Sequence, residues 1–417
     1  MPVFAATRPA LARALACALF CAPAAAYAQD GAAYTWTLGG FGSIGAVHSS
    51  ERRADFAANV LNPGRAGYTR RWSADVDSRL GAQAGVQFDE RWSAVLQVVS
   101  ERNLDGTFRP KVEWANLKYQ ATQDLSVRVG RIALPMMLAS DYRKASYALP
   151  WVRPPVEVYG SVPISNSDGV DLSYRWSAGD LRNLTQVLAG RIDFRLNDTA
   201  RLRADELVGF SNSTTAGALT VVVSGMRFSM SSALARDFFD AFRRFGPQGA
   251  AIADRYDLDR AMVKRYNVGA SYDTGDWFVM GELGRVRADS FFGDKTPLYF
   301  SAGIRHGNLT PYATYGRVRA NAPTRDPGLS LAGLPPPVAA LAAGLNANLN
   351  GLLSTIAVQH SVAAGLRWDF RPDYAIKLQY DRIRTKAGSS GMLINVQPGF
   401  MSGKAVHVAS VSLDFVF

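Results

Sequence analysis

WSADVDSRLGAQAGVQF, residues 72–88, sorts into two interleaved sets. Trp72, Ala74, Val76, Leu80, Ala82, Ala84, Val86 and Phe88 share one parity, and Ser73, Asp75, Asp77, Arg79, Gln83 and Gln87 share the other. Successive strand side chains point to opposite faces, so a period of two predicts a strand with one apolar and one wet face. The split returns in Val170, Leu172, Tyr174 and Trp176 against Asp171, Ser173 and Arg175. It returns again in Val362, Ala364, Leu366, Trp368 and Phe370 against Ser361, Arg367 and Asp369, and in Tyr374, Ile376, Leu378 and Tyr380 against Lys377, Gln379 and Asp381. Helical spacing is confined to two long connectors, 228–263 and 320–358, where Leu234, Phe238, Phe239 and Phe242, then Val338, Leu341, Leu345, Leu349 and Leu352, form apolar faces. These predict short helices over an external mouth or against a neighbouring subunit.

In a soluble sandwich the apolar face would point inward. Three features reverse it here. Several alternating stretches are long enough for the ~9–11 residues of a tilted membrane strand, against about 5–6 in soluble sheets. Tight turns (88–91, 121–124, 177–180, 273–276, 305–308, 370–373) alternate with long segments (49–71, 131–168, 228–264, 320–359, 383–403), the rhythm of the two rims of an outer-membrane barrel. Phe88, Trp92, Tyr119, Trp176, Tyr272, Trp277, Trp368, Phe370 and Tyr374 lie beside short turns, and Trp72, Tyr266 and Tyr380 nearer the long loops, which predicts two aromatic girdles. Strands counted from Tyr34 to Phe417 number about sixteen, an even count that leaves an aqueous lumen. The expected fold is an all-β transmembrane antiparallel barrel spanning 29–417.

The N-terminal segment reads as an export leader, 1–28: Arg8 and Arg13, then the apolar run 11–22, then the small-residue site Ala26-Tyr27-Ala28. Both cysteines, Cys17 and Cys21, fall inside it, so disulfides and cysteine metal sites are not expected in the mature chain. The formal charge of +11 includes Arg8 and Arg13, leaving +9 after cleavage. For an exported chain this excess points to solvated loops or a cationic lumen rather than to nucleic acid. Gly39, Gly40, Gly42 and Gly45 lack the following helix and lysine of a phosphate loop and read as a close-packed strand surface.

The last strand, 404–417, carries Val411, Leu413, Phe415 and Phe417 on one parity and ends on an aromatic. With the export leader and strand rhythm, this resembles the Gram-negative porin family over Tyr34 to Phe417. The resemblance implies an outer-membrane location, Phe417 as a signal to the barrel assembly machinery, contact with outer-membrane lipid and lipopolysaccharide, and a homotrimer. It also implies that the loop after the fifth strand, 131–167, folds into the barrel and narrows it, with Pro150, Pro154, Pro155 and Pro163 stiffening it. The Pro-Glu-Phe-Gly-Gly loop tip of enterobacterial porins has no counterpart.

In that family, wall arginines face loop acids across the constriction. The corresponding pore-constriction residues here are Arg79, Arg128, Arg175, Arg367 and Lys377 on the wall, with Arg131 at the loop root. On the loop they are Asp141, Arg143, Lys144, Arg153 and Glu157. Bases outnumber acids, so the expected function is passive diffusion of small hydrophilic solutes with modest anion preference. The alternative is a channel specific for phosphate or organic anions, served by Arg143, Lys144 and Arg153. An enzyme or adhesin ranks below both, since His48, His306, His360 and His407 sit in no nucleophile motif. No cofactor is expected, and no acidic spacing indicates bound calcium.

Overall fold

In hydrocarbon every backbone N–H and C=O must find a partner inside the chain, and a sheet achieves this only by closing on itself. The computed structural model describes residues 34–196 and 200–417, and it closes in this way; the expected leader lies outside the described residues. Sixteen long strands follow in order: β1 Thr35–Ser49, β2 Arg79–Gln87, β3 Trp92–Glu101, β4 Lys111–Gln120, β5 Leu125–Ala133, β6 Asn166–Ala178, β7 Leu181–Arg195 and β8 Arg201–Ala216. Then come β9 Leu219–Ser232, β10 Ala261–Asp273, β11 Trp277–Ala288, β12 Lys295–Ile304, β13 Leu309–Ala320, β14 Gln359–Arg371, β15 Tyr374–Thr385 and β16 Ala405–Val416. Each pairs antiparallel with the next, and β1 pairs with β2 on one side (Thr35 opposite Gln87) and β16 on the other (Ser49 opposite Val408).

The connectors 88–91, 121–124, 179–180, 217–218, 274–276, 305–308 and 372–373 occupy one rim. The tightest need a left-handed residue, supplied by Gly179 (φ 60°), Gly217 (φ 57°) and Asp373 (φ 66°). The other rim carries 50–78, 102–110, 134–165, 233–260, 289–294, 321–358 and 386–404, and β7 and β8 meet there with Arg195 opposite Arg201. Long loops mark the external rim.

Side-chain parity is that of a membrane barrel. Leu38 (66% exposed), Ile44, Leu80, Val129, Leu283, Phe300, Val362 and Leu378 point out, while Ser43, Gln97, Ser126, Asp171, Asn267, Glu282, Gln379 and Asp414 are buried inward. Around the short-turn rim, aromatic pairs such as Trp92–Tyr119 (4.7 Å between ring centroids), Tyr272–Trp277 (5.4 Å) and Trp368–Phe370 (5.6 Å) form one girdle. At the other rim His48 packs on Trp72, and the Tyr380 hydroxyl meets His407 Nδ1 at 2.6 Å.

The stretch 72–88 departs from a continuous strand. Trp72–Ser73 bridges to β1, but 74–78 leaves the ladder and the barrel strand begins at Arg79. This bend buries Val76 beside Phe56 and Val408 and turns Asp77 inward. Its backbone is held by Gly45 N–H donating to Ser78 Oγ at 3.0 Å.

The interior is not uniform. On β7 to β11 the inward residues near the external rim are apolar: Leu188, Ile192, Leu202, Met226, Phe228, Met230, Val263 and Val286. The helices α2 Arg236–Arg243, α3 Gly246–Tyr256 and α4 Pro336–Leu353 cover them, Phe239, Phe242, Ile252, Leu349 and Leu353 packing into one cluster with the loop after β5. (A single turn inside that loop, Val156–Tyr159, is α1.) Asp326 ties the helices together, accepting from the Tyr256 hydroxyl at 2.8 Å and Arg255 at 3.2 Å, while the Asn350 amide donates to its carbonyl at 2.9 Å. The predicted helical connectors therefore dock on the inner wall.

Candidate functional site

Loop 134–165 leaves β5 and crosses the lumen. Its apolar residues Met136, Leu149, Trp151, Val158 and Tyr159 bury themselves in the interior cluster, which fixes its depth. Pro135, Pro150, Pro154, Pro155 and Pro163 restrict its backbone. Polar side chains of seven distant strands then capture it. Ser224 on β9 donates to the Met136 carbonyl at 2.9 Å. Glu282 on β11 accepts from the Tyr159 hydroxyl at 2.6 Å and the Leu138 amide at 3.2 Å. The Trp151 indole donates to Ser301 on β12 at 2.9 Å and Thr314 on β13 at 3.1 Å. Gln359 on β14 donates to Glu157 at 2.7 Å, Gln379 on β15 accepts from the Val152 amide at 3.2 Å, and Ser410 on β16 accepts from Arg153 at 2.6 Å.

Four of the residues singled out from sequence are anchors in this web. Arg153 is fully buried, makes a bidentate pair with Asp77 (2.9 and 2.6 Å), reaches Asp381 at 3.4 Å and lies over the Phe56 ring. Lys377 donates to the Ser146 and Trp151 carbonyls (2.5 and 3.0 Å) while paired with Asp414 at 2.8 Å. Arg367 donates to the Tyr147 and Leu149 carbonyls (2.5 and 2.9 Å) and pairs with Asp369. Glu157 packs against Gly316, where a Cβ would lie 2.4 Å from its Oε2, so a larger residue there would push the Glu157 carboxylate aside.

Around the loop two charged groups remain. Toward the short-turn rim, Lys118 on β4, Arg128 on β5 and Arg175 on β6 share the inward parity, Lys118 directly opposite Arg128 and Arg128 opposite Asp171. Arg128 pairs with Asp171 at 2.7 Å, while Arg175 stays exposed. Asp141 on the loop faces this wall, exposed to the lumen but ringed by protein. That low-dielectric surround raises its carboxyl above the usual range, with Arg128 opposing and Asp171 reinforcing the shift.

Toward the external rim, Arg79, Arg102, Arg143, Lys144 and Glu101 line a cavity of about 60 Å³. Lys144 pairs with Glu101. Arg143 is buried and, among the described residues, donates hydrogen bonds only to the Val162 and Pro163 carbonyls, at 3.4 and 3.3 Å; burial pulls its guanidinium below the usual range, against Glu113 and Glu101.

Arg131 stands apart. It lies three residues beyond Arg128 on one strand, which puts it on the opposite face with Val127 and Val129, paired bidentately with Asp168 at 2.7 and 2.9 Å. Strand alternation removes it from the lumen group.

Arg265 on β10 was not singled out from sequence, though the alternation of Lys264, Tyr266 and Val268 with Arg265, Asn267 and Gly269 carries the signal. It is 1% exposed and points inward, within electrostatic reach of Glu282 and Arg143. Its Nη2 reaches Asn267 at 3.5 Å, and Nε and Nη1 have no hydrogen-bond partner among the described residues. Lys118 was likewise missed.

A closed sixteen-strand barrel with an in-folded loop can now be set beside known proteins. Residues 12–390 match the sequence family described as Gram-negative porin. The chain belongs to the Gram-negative porin family. It is an outer-membrane channel protein. Among solved structures, this porin superposes on OmpF of Salmonella typhi in complex with daunomycin with a TM-score of 0.54 at 13% identity, covering 92% of this chain and 98% of that one. The anion-selective porin from Comamonas acidovorans gives 0.53 at 12% identity, with 92% and 100% covered. The outer-membrane channel DcaP of Acinetobacter baumannii gives 0.53 at 11% identity, with 93% and 99% covered. At these identities the likeness concerns the barrel alone. No curated protein sequence matches the chain.

Proposed function

We propose that this porin is a passive diffusion channel for small hydrophilic solutes with a modest preference for anions, and that the constriction is set by loop 134–165. The observation that carries this reading is the imbalance of unpaired lumen charge. The inward acids Asp77, Asp171, Asp369 and Asp414 are engaged by Arg153, Arg128, Arg367 and Lys377. Arg79, Arg143, Arg175, Arg265 and Lys118 form no ion pair among the described residues, and the interior carboxyls likewise without an ion pair are Asp141, Glu113, Glu157 and Glu282, the last two hydrogen-bonded into the loop web, so the cations keep a small majority. A fixed positive surplus in a narrow, low-dielectric passage favours anions. Reversal potentials across a bilayer in a tenfold KCl gradient test it: chloride carries the larger current, and a cation-dominated current defeats the reading.

A second reading, a channel specific for phosphate or organic anions, draws on Arg143 and Arg79 beside one cavity. It requires conductance to saturate in one anion at low concentration, whereas a general pore shows current rising almost linearly with salt.

The channel performs no covalent step in this reading. Two of its histidines have a membrane-rim role, His48 against Trp72 and His407 against Tyr380. The apolar outward band sits in lipid, and Phe415 and Phe417 on that face support recognition of the last strand by the assembly machinery. A homotrimer is the proposed state, with the outward face around Trp36, Leu38, Ile44 and Leu80 on β1 and β2 as its contact. Cross-linking in native membranes tests that assembly.

A further inference from the structure

Between the helix cover and the loop after β15, the external side of the barrel holds a cavity of about 550 Å³. Its walls come from three segments: Thr324, Arg325 and Asp326 after β13, Asn350 and Ser354 at the end of α4, and Gly388 after β15. Each is fixed by its own hydrogen bonds. Asp326 N–H donates to Asn350 Oδ1 at 3.0 Å, and the Asn350 amide returns to the Asp326 carbonyl at 2.9 Å. On the other side Ser389 N–H closes a tight turn on the Lys386 carbonyl at 3.0 Å, Ser389 Oγ donates to the Ile356 carbonyl at 2.7 Å, and Ser390 N–H donates to the Ser354 carbonyl at 3.0 Å. The cavity is therefore preformed, and its volume falls within the roughly 300–1,000 Å³ of small-molecule sites.

The charge on its walls is one-sided. Asp326 is spent, Oδ1 accepting from Gly328 N–H at 2.8 Å and Oδ2 from Tyr256 and Arg255. Arg325 is exposed and forms no hydrogen bond or ion pair among the described residues. Its guanidinium lies beside the bare backbone of Gly388, whose φ is 75° and where a Cβ would stand 3.4 Å from Nη2. The Thr324 hydroxyl and the amides of Ala387 and Gly388, on the same walls, likewise have no partner among the described residues. The lining holds no aromatic side chain and no aliphatic one larger than proline, so an apolar ligand would gain little by entering. What it offers is one unpaired guanidinium among small hydrogen-bonding groups.

We propose that this cavity is a capture site at the external mouth for a polyhydroxylated monocarboxylate of sugar-acid size. Arg325 takes the carboxylate through two parallel N–H···O bonds, the geometry in which a guanidinium binds a planar acid. Thr324, Ser354 and the two free amides take the hydroxyls. A single cation on the lining matches a monoanion better than a phosphate dianion. The site names a class of solute for the channel reading, and rests on that reading only for the solute's onward passage through the pore.

The test titrates the full-length porin in detergent with D-gluconate by calorimetry at constant ionic strength. Sorbitol, which lacks the carboxylate, butyrate, which lacks the hydroxyls, and inorganic phosphate are titrated beside it. The parent should bind gluconate saturably and the other three far more weakly. Arg325→Gln should weaken gluconate binding roughly tenfold or more, and Ser354→Phe, which fills the cavity from the helix end, should abolish it with Arg325 in place. Heat-shifted migration and conductance in KCl certify the barrel and the pore in each variant. No saturable gluconate binding by the parent, binding that survives Arg325→Gln or Ser354→Phe, or sorbitol, butyrate or phosphate binding as tightly as gluconate overturns the proposal. Should Ser354→Phe fail to assemble, Arg325→Gln alone carries the comparison, since that side chain is exposed and holds nothing in the fold. A failed titration with chloride-dominated reversal potentials leaves the channel reading standing, whereas gluconate binding with a cation-dominated current defeats the ion preference alone.

Discussion

A single buried guanidinium shows how the loop is held. Arg153 and Asp77 are both removed from water, so their pairing only offsets what desolvation costs, but either one left alone is an uncompensated buried charge. Arg153→Met should therefore lower stability by about 3–5 kcal/mol, read as a fall in the temperature at which the folded barrel loses its compact gel migration. Asp77→Asn/Arg153→Met should recover much of that loss. A single variant as stable as the parent would refute the anchoring role. Asp141 makes a different prediction. Because its carboxyl is raised above the ordinary value of about 3.9, falling pH neutralises it before most other lumen acids, and the positive surplus grows. Anion preference should rise as pH drops toward that range, and Asp141→Asn should show the higher preference at neutral pH with a flatter pH response. An unchanged response in that variant would place the titration elsewhere.

At the level of strands, parity was readable wherever alternation was clean and failed where the ladder is interrupted. The ragged pattern at 207–211 follows a bulge between Asp205 and Val208, with Glu206 at φ 54°, and that at 108–120 follows a register shift opposite Gln97 and Val98. One extra residue swaps every later side chain to the other face, which is why Lys118 escaped notice. The anchors were found by residue type but not by role. That Arg153 meets Asp77, 76 positions away, depends on the bend at 74–78, which no local pattern announces. The glycines of β1 have a reason of the same kind. A Cβ at Gly40 would meet the Phe417 ring at 2.3 Å, and one at Gly42 the Phe415 ring at 2.3 Å, so these rings lie flat over bare backbone where the barrel closes. Gly40→Val should displace Phe417 from the seam and reduce the fraction of folded, heat-shiftable barrel in outer membranes, while Gly39→Ala, whose Cβ meets only the Phe417 carbonyl at 3.4 Å, should be tolerated.

At the scale of the whole barrel, the division of the interior decides how much of it can conduct. A sixteen-strand cylinder is wide enough for an aqueous channel, yet here the external half of the β7 to β11 wall is lined by Leu188, Ile192, Met226, Phe228 and Val263 and covered by helices α2 to α4. Burying that apolar surface under Phe239, Phe242 and Leu349 is favourable at roughly 25 cal/mol per Å², so the helices belong to the folded core and are not loose flaps. Solutes are left the polar sector, from Arg79 and Arg143 past the loop to Lys118, Arg128 and Arg175. Conductance should accordingly be small for a barrel of this strand number. Replacing 236–256, both α2 and α3, by a short Gly-Ser link should uncover the apolar wall and widen the external vestibule, raising single-channel conductance while leaving selectivity nearly unchanged, because the charged residues of the polar sector stay in place. Asp326→Ala, which removes the acceptor shared by Arg255 and Tyr256, should give a smaller change of the same sign, seen as noisier open current. Identical conductance after excision would mean that the constriction at loop 134–165 alone limits flow and that the helix-covered sector was never part of the path.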